Sequence, residues 1–353
     1  MKILMLPGDG IGPEISSATR EVLAAASDAF GLKLAFEELP VGHASLEQYG
    51  ATLPPNFAQR LRAADGIVLG PASTADFKDA GKGEVNPSMY LRKELDLFAN
   101  IRPARTMDGV KAPVGPFDLV VVRENVEGFY ADRNMEKGNA EMLVTPDVAI
   151  SLRRVTRYCS ERIARAGFEL AMRRKKHVTL VHKANVLKIG DGLFLDSCRA
   201  VARDYPEVVV DDVIVDAMMA HAVRNPSKFY VIVTTNRFGD ILSDLTAELS
   251  GSIGLGGSVN AGADHAMAQA AHGSAPDIAG QDKANPFSLI LSAALLLDWM
   301  GQRHKRDAFI KAGAAIEAAV RGAVRAGEST IDVGGKLGTQ ATGKALAARL
   351  CAH

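Results

Sequence analysis

The chain is poor in the features that mark several common protein classes. Cysteine occurs only at Cys159, Cys198 and Cys351, scattered and with no CxxC pair. That usage fits free thiols in a reducing compartment. No charge predominates: 41 basic and 41 acidic residues give a formal net charge of zero. A global basic field of the kind that drives non-specific nucleic-acid binding is therefore excluded. The cluster Arg173 to His177 is basic but short, and it carries no aromatic residue. No apolar run can span a bilayer, since the longest, Leu289 to Leu297, stops at Asp298 and reads as a buried helix. The opening MKILMLPGDGIGPE reaches Pro7 and Gly8 too soon for a signal-peptide core. Internal repeats and low-complexity segments are also lacking. The expectation is a cytoplasmic protein with no membrane and no nucleic-acid partner.

What is present is ordinary for a globular protein: 47% apolar and 23% charged residues over 353 positions. That length is too great for one simple core and suggests two domains, or one large one with an insertion. Short β-rich runs, Ile3–Leu6, Ile67–Leu69, Leu119–Val122, Val178–Val181, Val208–Val215 and Phe229–Val233, alternate with amphipathic stretches such as Pro13–Phe30, Thr145–Ala171 and Gly192–Asp204. Thr145–Pro146–Asp147 reads as a helix start, with a cap, a first-turn proline and an acid near the dipole. The alternation implies an α/β protein with largely parallel pairing. After Asn285–Pro286 the pattern is mainly helical. Ala131 to Val144 is polar and reads as a loop or as an arm reaching a partner chain.

The chemistry-bearing residues follow strand-like runs, where ligands collect in α/β folds. In TTNRFGDILSDL, Asp240 and Asp244 stand four residues apart on one helix face. Two carboxylates so placed repel unless something positive lies between them, and a hard divalent cation is the obvious candidate. Such pairs also occur on plain solvated faces. Arg92, on a helical pattern, Arg102, after an extended stretch, and Arg123, after LVVV, are arginines whose forks suit carboxylates, although most arginines are solvated or in surface ion pairs. Lys183 in HKAN follows a strand. A lysine beside a metal can act as a base, whereas a lysine alone is as readily a surface residue. Asp216 closes the run VVVDDVIVD. His272 to Pro286, HGSAPDIAGQDKANP, is a small-residue loop suited to a flat or polar ligand, and His272 alone would more often be structural. GDGIGPE at Gly8 to Glu14 tempts a dinucleotide fingerprint, but Pro13 takes the third glycine position, and a tight turn opening a helix is the better reading.

Together these motifs closely resemble the β-decarboxylating dehydrogenases, the family of isocitrate, 3-isopropylmalate, homoisocitrate and tartrate dehydrogenases. The resemblance runs from GDGIGPE to DVGGKLGT and rests most on NRFGDILSDL with the glycine-rich stretch Gly251 to Gly257. VRENVEGFY, HKAN and HGSAPDIAG support it. It implies the isocitrate/isopropylmalate dehydrogenase-like two-domain α/β fold, not a Rossmann fold. Residues 1–99 plus 251–353 would form a cofactor-binding domain, and 100–250 a smaller domain with the dimer interface and arm. It implies NAD and Mg²⁺ or Mn²⁺ as cofactors. Arg92, Arg102 and Arg123 would hold the malate carboxylates. Asp240, Asp244 and Asp216 would hold the metal, with Asp216 and the base Lys183 reaching the partner's site in a homodimer. Tyr130 would be the proton donor. His272, Gly273, Ser274, Ala275, Asp277, Ile278 and Asn285 would form the adenosine pocket, with Asp277 on the ribose hydroxyls and so selecting NAD over NADP.

The residues before Arg92 choose the substituent at C3 of malate in this family. Asn86 and Ser88 supply the polar residue types of isocitrate enzymes in swapped order, so a polar or carboxylated substituent is expected. Met89 keeps the alternative of 3-isopropylmalate open. The segment Gln269–Ala270–Ala271 lacks the Glu-Pro that many relatives show. A non-catalytic regulatory subunit would have lost the base, an arginine or a metal carboxylate, and every such position is filled here.

Overall fold

The computed structural model describes residues 1–129 and 140–351. They divide into two compact units, one of Met1–Leu95, Thr106–Ala112 and Gly251–His353, the other of Asp96–Arg105 and Pro113–Ser250. In chain order the strands are β1 (Lys2–Leu6), β2 (Ala35–Glu38), β3 (Gly66–Leu69), β4 (Ala99–Arg105), β5 (Asp118–Glu124) and β6 (Glu141–Thr145). They continue with β7 (Val148–Ser151), β8 (His177–His182), β9 (Val209–Ile214), β10 (Val231–Thr234), β11 (Val259–Ala261) and β12 (Ala266–Gln269). The helices are α1 (Gly12–Ala29), α2 (His43–Tyr49), α3 (Phe57–Arg62), α4 (Pro87–Glu94), α5 (Arg157–Met172) and α6 (Gly190–Ala202). After them come α7 (Val215–Arg224), α8 (Asn236–Leu249), α9 (Phe287–His304), α10 (Asp307–Arg325) and α11 (Thr339–Cys351).

In the first unit β2, β1, β3, β12 and β11 lie side by side, parallel except for the antiparallel β11–β12 pair. Apart from Lys2 at the start of β1, strands β1 and β3 are apolar and buried, as parallel strands covered on both faces must be. The turn from β1 to α1 is the GDGIGPE segment. Pro13 opens the helix and Glu14 meets the positive end of its dipole. The apolar helix α9 is buried over most of its length. Among the described residues no helix is long and apolar enough to cross a membrane.

In the second unit the order is β4, β5, β10, β8, β9, with β5, β10, β8 and β9 mutually parallel and β4 antiparallel to β5. The period of two divides the core. Val120, Val122, Val231 and Val233 pack with Ile163, Phe168 and Phe194 of α5 and α6. Leu119, Val121 and Ile232 face Met218 and Leu242 of α7 and α8. The C-terminal ends of β5, β10 and β8 align, since Thr234 registers with both Arg123 and Val181. Arg123, the start of α8 and Lys183 therefore collect at one end of this sheet. Cys159 and Cys198 are buried and Cys351 exposed, all as free thiols.

Three local expectations are corrected. Thr145 does not cap a helix. It ends β6, and Pro146–Asp147 turn the chain into β7, because proline and aspartate between two β-rich runs favour a turn. The helix starts later, at Arg157, where the Thr156 hydroxyl accepts from the Cys159 N–H at 3.1 Å. Asp216 lies in the first turn of α7, not at the end of a strand, and favours that helix dipole. Arg102 lies within β4, not after it.

Candidate active site

Arg123 is the most constrained of the expected site residues. Its side chain is 3% exposed. Asn236 Oδ1 accepts from its Nε at 3.0 Å and from its Nη2 at 2.7 Å, while Nη1 donates to Asp240. Asn236 Nδ2 donates to the Glu127 carbonyl at 2.7 Å, which fixes the amide. The arginine passes directly over Gly239, where a Cβ would lie 2.6 Å from both Cβ and Cγ of Arg123. Only glycine fits there.

Asp240 and Asp244 share one face of α8, and a cation does lie between them. It is Arg102, whose Nη1 is 2.9 Å from Asp244 Oδ1, 3.6 Å from Asp240 Oδ1 and 2.9 Å from Ser243 Oγ. Burial raises the Asp244 pKa. Arg102 opposes that shift, and the Asp240 charge reinforces it. Two carboxylate oxygens converging on one cationic atom, and partly open to solvent, form a donor set that suits a hard divalent ion. Among the described residues no group of three or more His, Cys, Asp or Glu could hold a metal.

Lys183 follows β8. Its N–H donates to buried Asp191 Oδ2 at 2.6 Å, and the neighbouring His182 accepts the Ala184 N–H on Nδ1 at 3.0 Å. Its Nζ pairs with Asp216, and that pairing holds the Asp216 carboxyl below the usual range. The two residues expected to act together are thus neighbours in one chain. Tyr130 lies outside the described residues.

The first unit carries the remaining positions. Asn86 Oδ1 accepts the Met89 N–H at 3.2 Å and so caps α4. Ser88 is buried, and its hydroxyl meets Gln269 Oε1 at 3.1 Å, while Arg92 Nη2 donates to the same oxygen at 3.0 Å. The loop after β12 is held by GDGIGPE: the Ile11 N–H donates to the Ser274 carbonyl at 2.8 Å, and the Ser274 and Ser73 hydroxyls are 2.9 Å apart. Ala275 takes a left-handed conformation at φ 36°, and Pro276–Ile278 form a single tight turn that leaves Asp277 exposed. Gly273 is exposed and Ile278 half-buried. The His272 pKa is lowered by burial, and its Nε2 is buried without a hydrogen-bond partner among the described residues. An orphaned buried nitrogen beside a strained loop fits a ligand such as an adenosine group. Asn285 spends its amide within the fold, donating to Asp332 at 2.9 Å and accepting the Phe287 N–H at 2.9 Å.

Residues 2–346 match the family model described as isocitrate/isopropylmalate dehydrogenase. The chain belongs to this family. A 3-isopropylmalate dehydrogenase of Sulfurisphaera tokodaii is 38% identical, over 96% of this chain and 95% of that protein. An isocitrate/homoisocitrate dehydrogenase of Thermus thermophilus is 41% identical, over 96% of each. The crystal structure of isocitrate dehydrogenase from Methylococcus capsulatus superposes with a TM-score of 0.87 at 39% identity, covering 99% of both chains. As a member of the isocitrate/isopropylmalate dehydrogenase family, the protein is a decarboxylating dehydrogenase acting on a CH–OH group, in a family that uses NAD. Two residues without a signal in the sequence stand out, Asn236 in the second unit and Gln269 in the first. Asn236 lies inside TTNRFGD, and nothing in that motif signals its contact with Arg123. Gln269 meets Ser88 and Arg92, which are distant in sequence.

Proposed function

We propose that the protein oxidatively decarboxylates a 3-substituted malate with NAD and a divalent cation, in the cytoplasm and as a homodimer with shared sites. The observation that carries this reading is the convergence of Asp240 and Asp244 on one cationic atom beside Arg123, at the C-terminal end of the sheet in the second unit. Mg²⁺ or Mn²⁺ on Asp240, Asp244 and an Asp216 from the second copy would supply Lewis-acid polarisation, and NAD in the His272–Asn285 loop a hydride acceptor. Arg92, Arg102 and Arg123 hold the malate carboxylates. Lys183 takes the hydroxyl proton. Tyr130 returns a proton to the carbon from which CO₂ departs. What supports a dimer is the β6–β7 hairpin, which exposes Met142, Leu143, Val144, Val148 and Ile150, with Leu143 71% exposed. An apolar ribbon of that kind needs a cover.

For the substituent, the relatives' names support 3-isopropylmalate better than the polar group expected from Asn86 and Ser88. Asn86 is occupied in capping α4, which weakens the polar reading. One observation still favours a carboxylated substituent, the buried polar contact of Ser88 and Arg92 with Gln269. NADH formation over a panel of 3-substituted malates with Mn²⁺, ranked by kcat/KM, decides between them. EDTA must abolish it and added Mn²⁺ restore it. Full turnover in metal-free protein with every malate would sink the reading.

A further inference from the structure

Lys183 is the first residue past β8, where the ladder with β9 has ended. Its N–H donates not to a strand but to Asp191 Oδ2 at 2.6 Å, and its carbonyl accepts the N–H groups of Val186 and Leu187 at 3.0 and 2.8 Å. Asp191 sits in the first turn of α6 and is fully buried. Its other oxygen, Oδ1, lies 2.5 Å from Arg153 Nη2, in an ion pair that leaves 12% of the arginine side chain exposed. The same nitrogen is 3.5 Å from the hydroxyl of Thr235, the residue that caps α8. The guanidinium also lies 5.8 Å from the ring of Phe238 in α8 and 5.6 Å from that of Phe129. One arginine thus ties the start of α6 to the start of α8, and so the segment carrying Lys183 to the segment carrying Asp240. A buried ion pair often adds no more stability than apolar residues of the same volume. What this one adds is direction: with Oδ1 held by Arg153, Oδ2 is aimed at the Lys183 N–H.

We propose that Arg153 and Asp191 are positioning residues for Lys183, fixing the main chain from which the lysine extends, so that the rate of proton removal depends on them through Lys183. This rests on the reading that Lys183 takes the hydroxyl proton. A misplaced base slows the reaction without loosening the substrate, because its alignment counts in the transition state and not in the ground state.

The test uses the full-length protein with NAD, Mn²⁺ and the malate it turns over best. Asp191→Ala must lower kcat about 10- to 100-fold, the range for a hydrogen bond to a charged group, with KM unchanged. The solvent deuterium isotope effect on kcat must rise, because slowed proton removal limits turnover more than product release does. A merely smaller folded fraction would leave that isotope effect where it was. Asp191→Asn, whose amide oxygen can still accept the Lys183 N–H, must recover most of the loss. Without substrate, cofactor or metal, hydrogen exchange of the peptide spanning Lys183, read by mass spectrometry, must speed up in Asp191→Ala and not in Asp191→Asn. If Asp191→Ala does not fold, Asp191→Leu combined with Arg153→Met replaces the pair by apolar groups and must show the same fall in kcat and the same rise in isotope effect. An unmoved isotope effect, unmoved exchange at Lys183, or no recovery with asparagine overturns the inference, provided that Lys183→Ala still abolishes turnover. Turnover kept by Lys183→Ala overturns the reading of Lys183 as the base, and the inference with it.

Discussion

Asn236 Oδ1 accepts two hydrogen bonds from Arg123, at 3.0 Å from Nε and 2.7 Å from Nη2. Three guanidinium nitrogens are thus divided, two on the amide and Nη1 on the carboxylate of Asp240. This arrangement aims the arginine where its own side-chain torsions would leave it free to swing. Asn236→Ala should cost kcat/KM about 10- to 100-fold, the loss expected for a hydrogen bond to a charged group. Gly239→Ala should cost at least as much, because its Cβ would overlap Arg123. Steady-state kinetics with circular dichroism on both variants checks this. Unchanged kcat/KM in a folded Asn236→Ala protein would mean that Arg123 does not need its clamp.

How much of this was legible in the sequence depends on how strongly each residue pattern is tied to one structure. The long apolar strands were readable because burial on both faces leaves a continuous β-branched run, as in LVVV and VIVT. The strands β11 and β12, VNA and AMAQ, were not, because small residues carry no periodic signal and are placed by neighbouring chain. The misread helix start at Thr145 shows how one tripeptide can serve two structures, since threonine, proline and aspartate suit a helix cap and a β-turn alike. At the site, the spacing of Asp240 and Asp244 put both on one helix face, and both meet Arg102 there. The contacts of Gln269 were not legible, because its partners Arg92 and Ser88 lie far away in sequence.

Glu124 predicts a pH effect on stability. It is 3% exposed, with its oxygens on the Val126 and Glu127 N–H groups at 2.9 and 3.0 Å. Burial pushes its pKa up to about 7 from 4.5. Those two N–H groups pull it down, while the charge of Glu127 adds to the rise and Arg162 opposes it; the Cys159 thiol faces the same site. The native state therefore keeps a proton that the unfolded chain releases. The contribution is fully present below 4.5 and is lost as pH rises through about 7. The loss is on the order of 2–4 kcal/mol. Urea unfolding between pH 5 and pH 8.5 should show this decline, and Glu124→Gln should flatten it. A variant with the same slope as the unmodified protein would remove Glu124 as the cause.

The pairing of Lys183 with Asp216 within one chain bears on the shared-site proposal. If both residues serve the second copy, Lys183→Ala and Asp240→Asn damage different halves of each site. Each variant alone should be inactive. Mixed and allowed to exchange subunits, they should regain activity, because in a heterodimer one site takes both defects and the other none. With complete exchange, about half of all dimers are mixed and each holds one intact site, so recovery should approach about a quarter of full activity. Exchange demonstrated by native mass spectrometry with no recovery would show that each chain uses its own lysine.

On the proposed reading, cofactor preference turns on Asp277. It sits on a turn held by the Ile278 N–H to the Ala275 carbonyl at 3.2 Å and by Gln281 Nε2 to its own carbonyl at 2.7 Å. Among the described residues its carboxylate takes no hydrogen bond, so it is not occupied in capping that turn. A carboxylate there can accept from both ribose hydroxyls of NAD. Against NADP it would face a 2′-phosphate, and two anions brought together in a partly dehydrated site repel. NAD should therefore exceed NADP in kcat/KM by about 100-fold, on the order expected when one close charge pair is repulsive. Asp277→Lys with Ile278→Tyr should move the preference toward NADP, since the lysine replaces repulsion with attraction and the tyrosine adds a hydroxyl donor. The move should appear mainly in KM, because neither residue touches the reacting carbon. Equal use of both cofactors by the unmodified enzyme would place Asp277 away from the ribose.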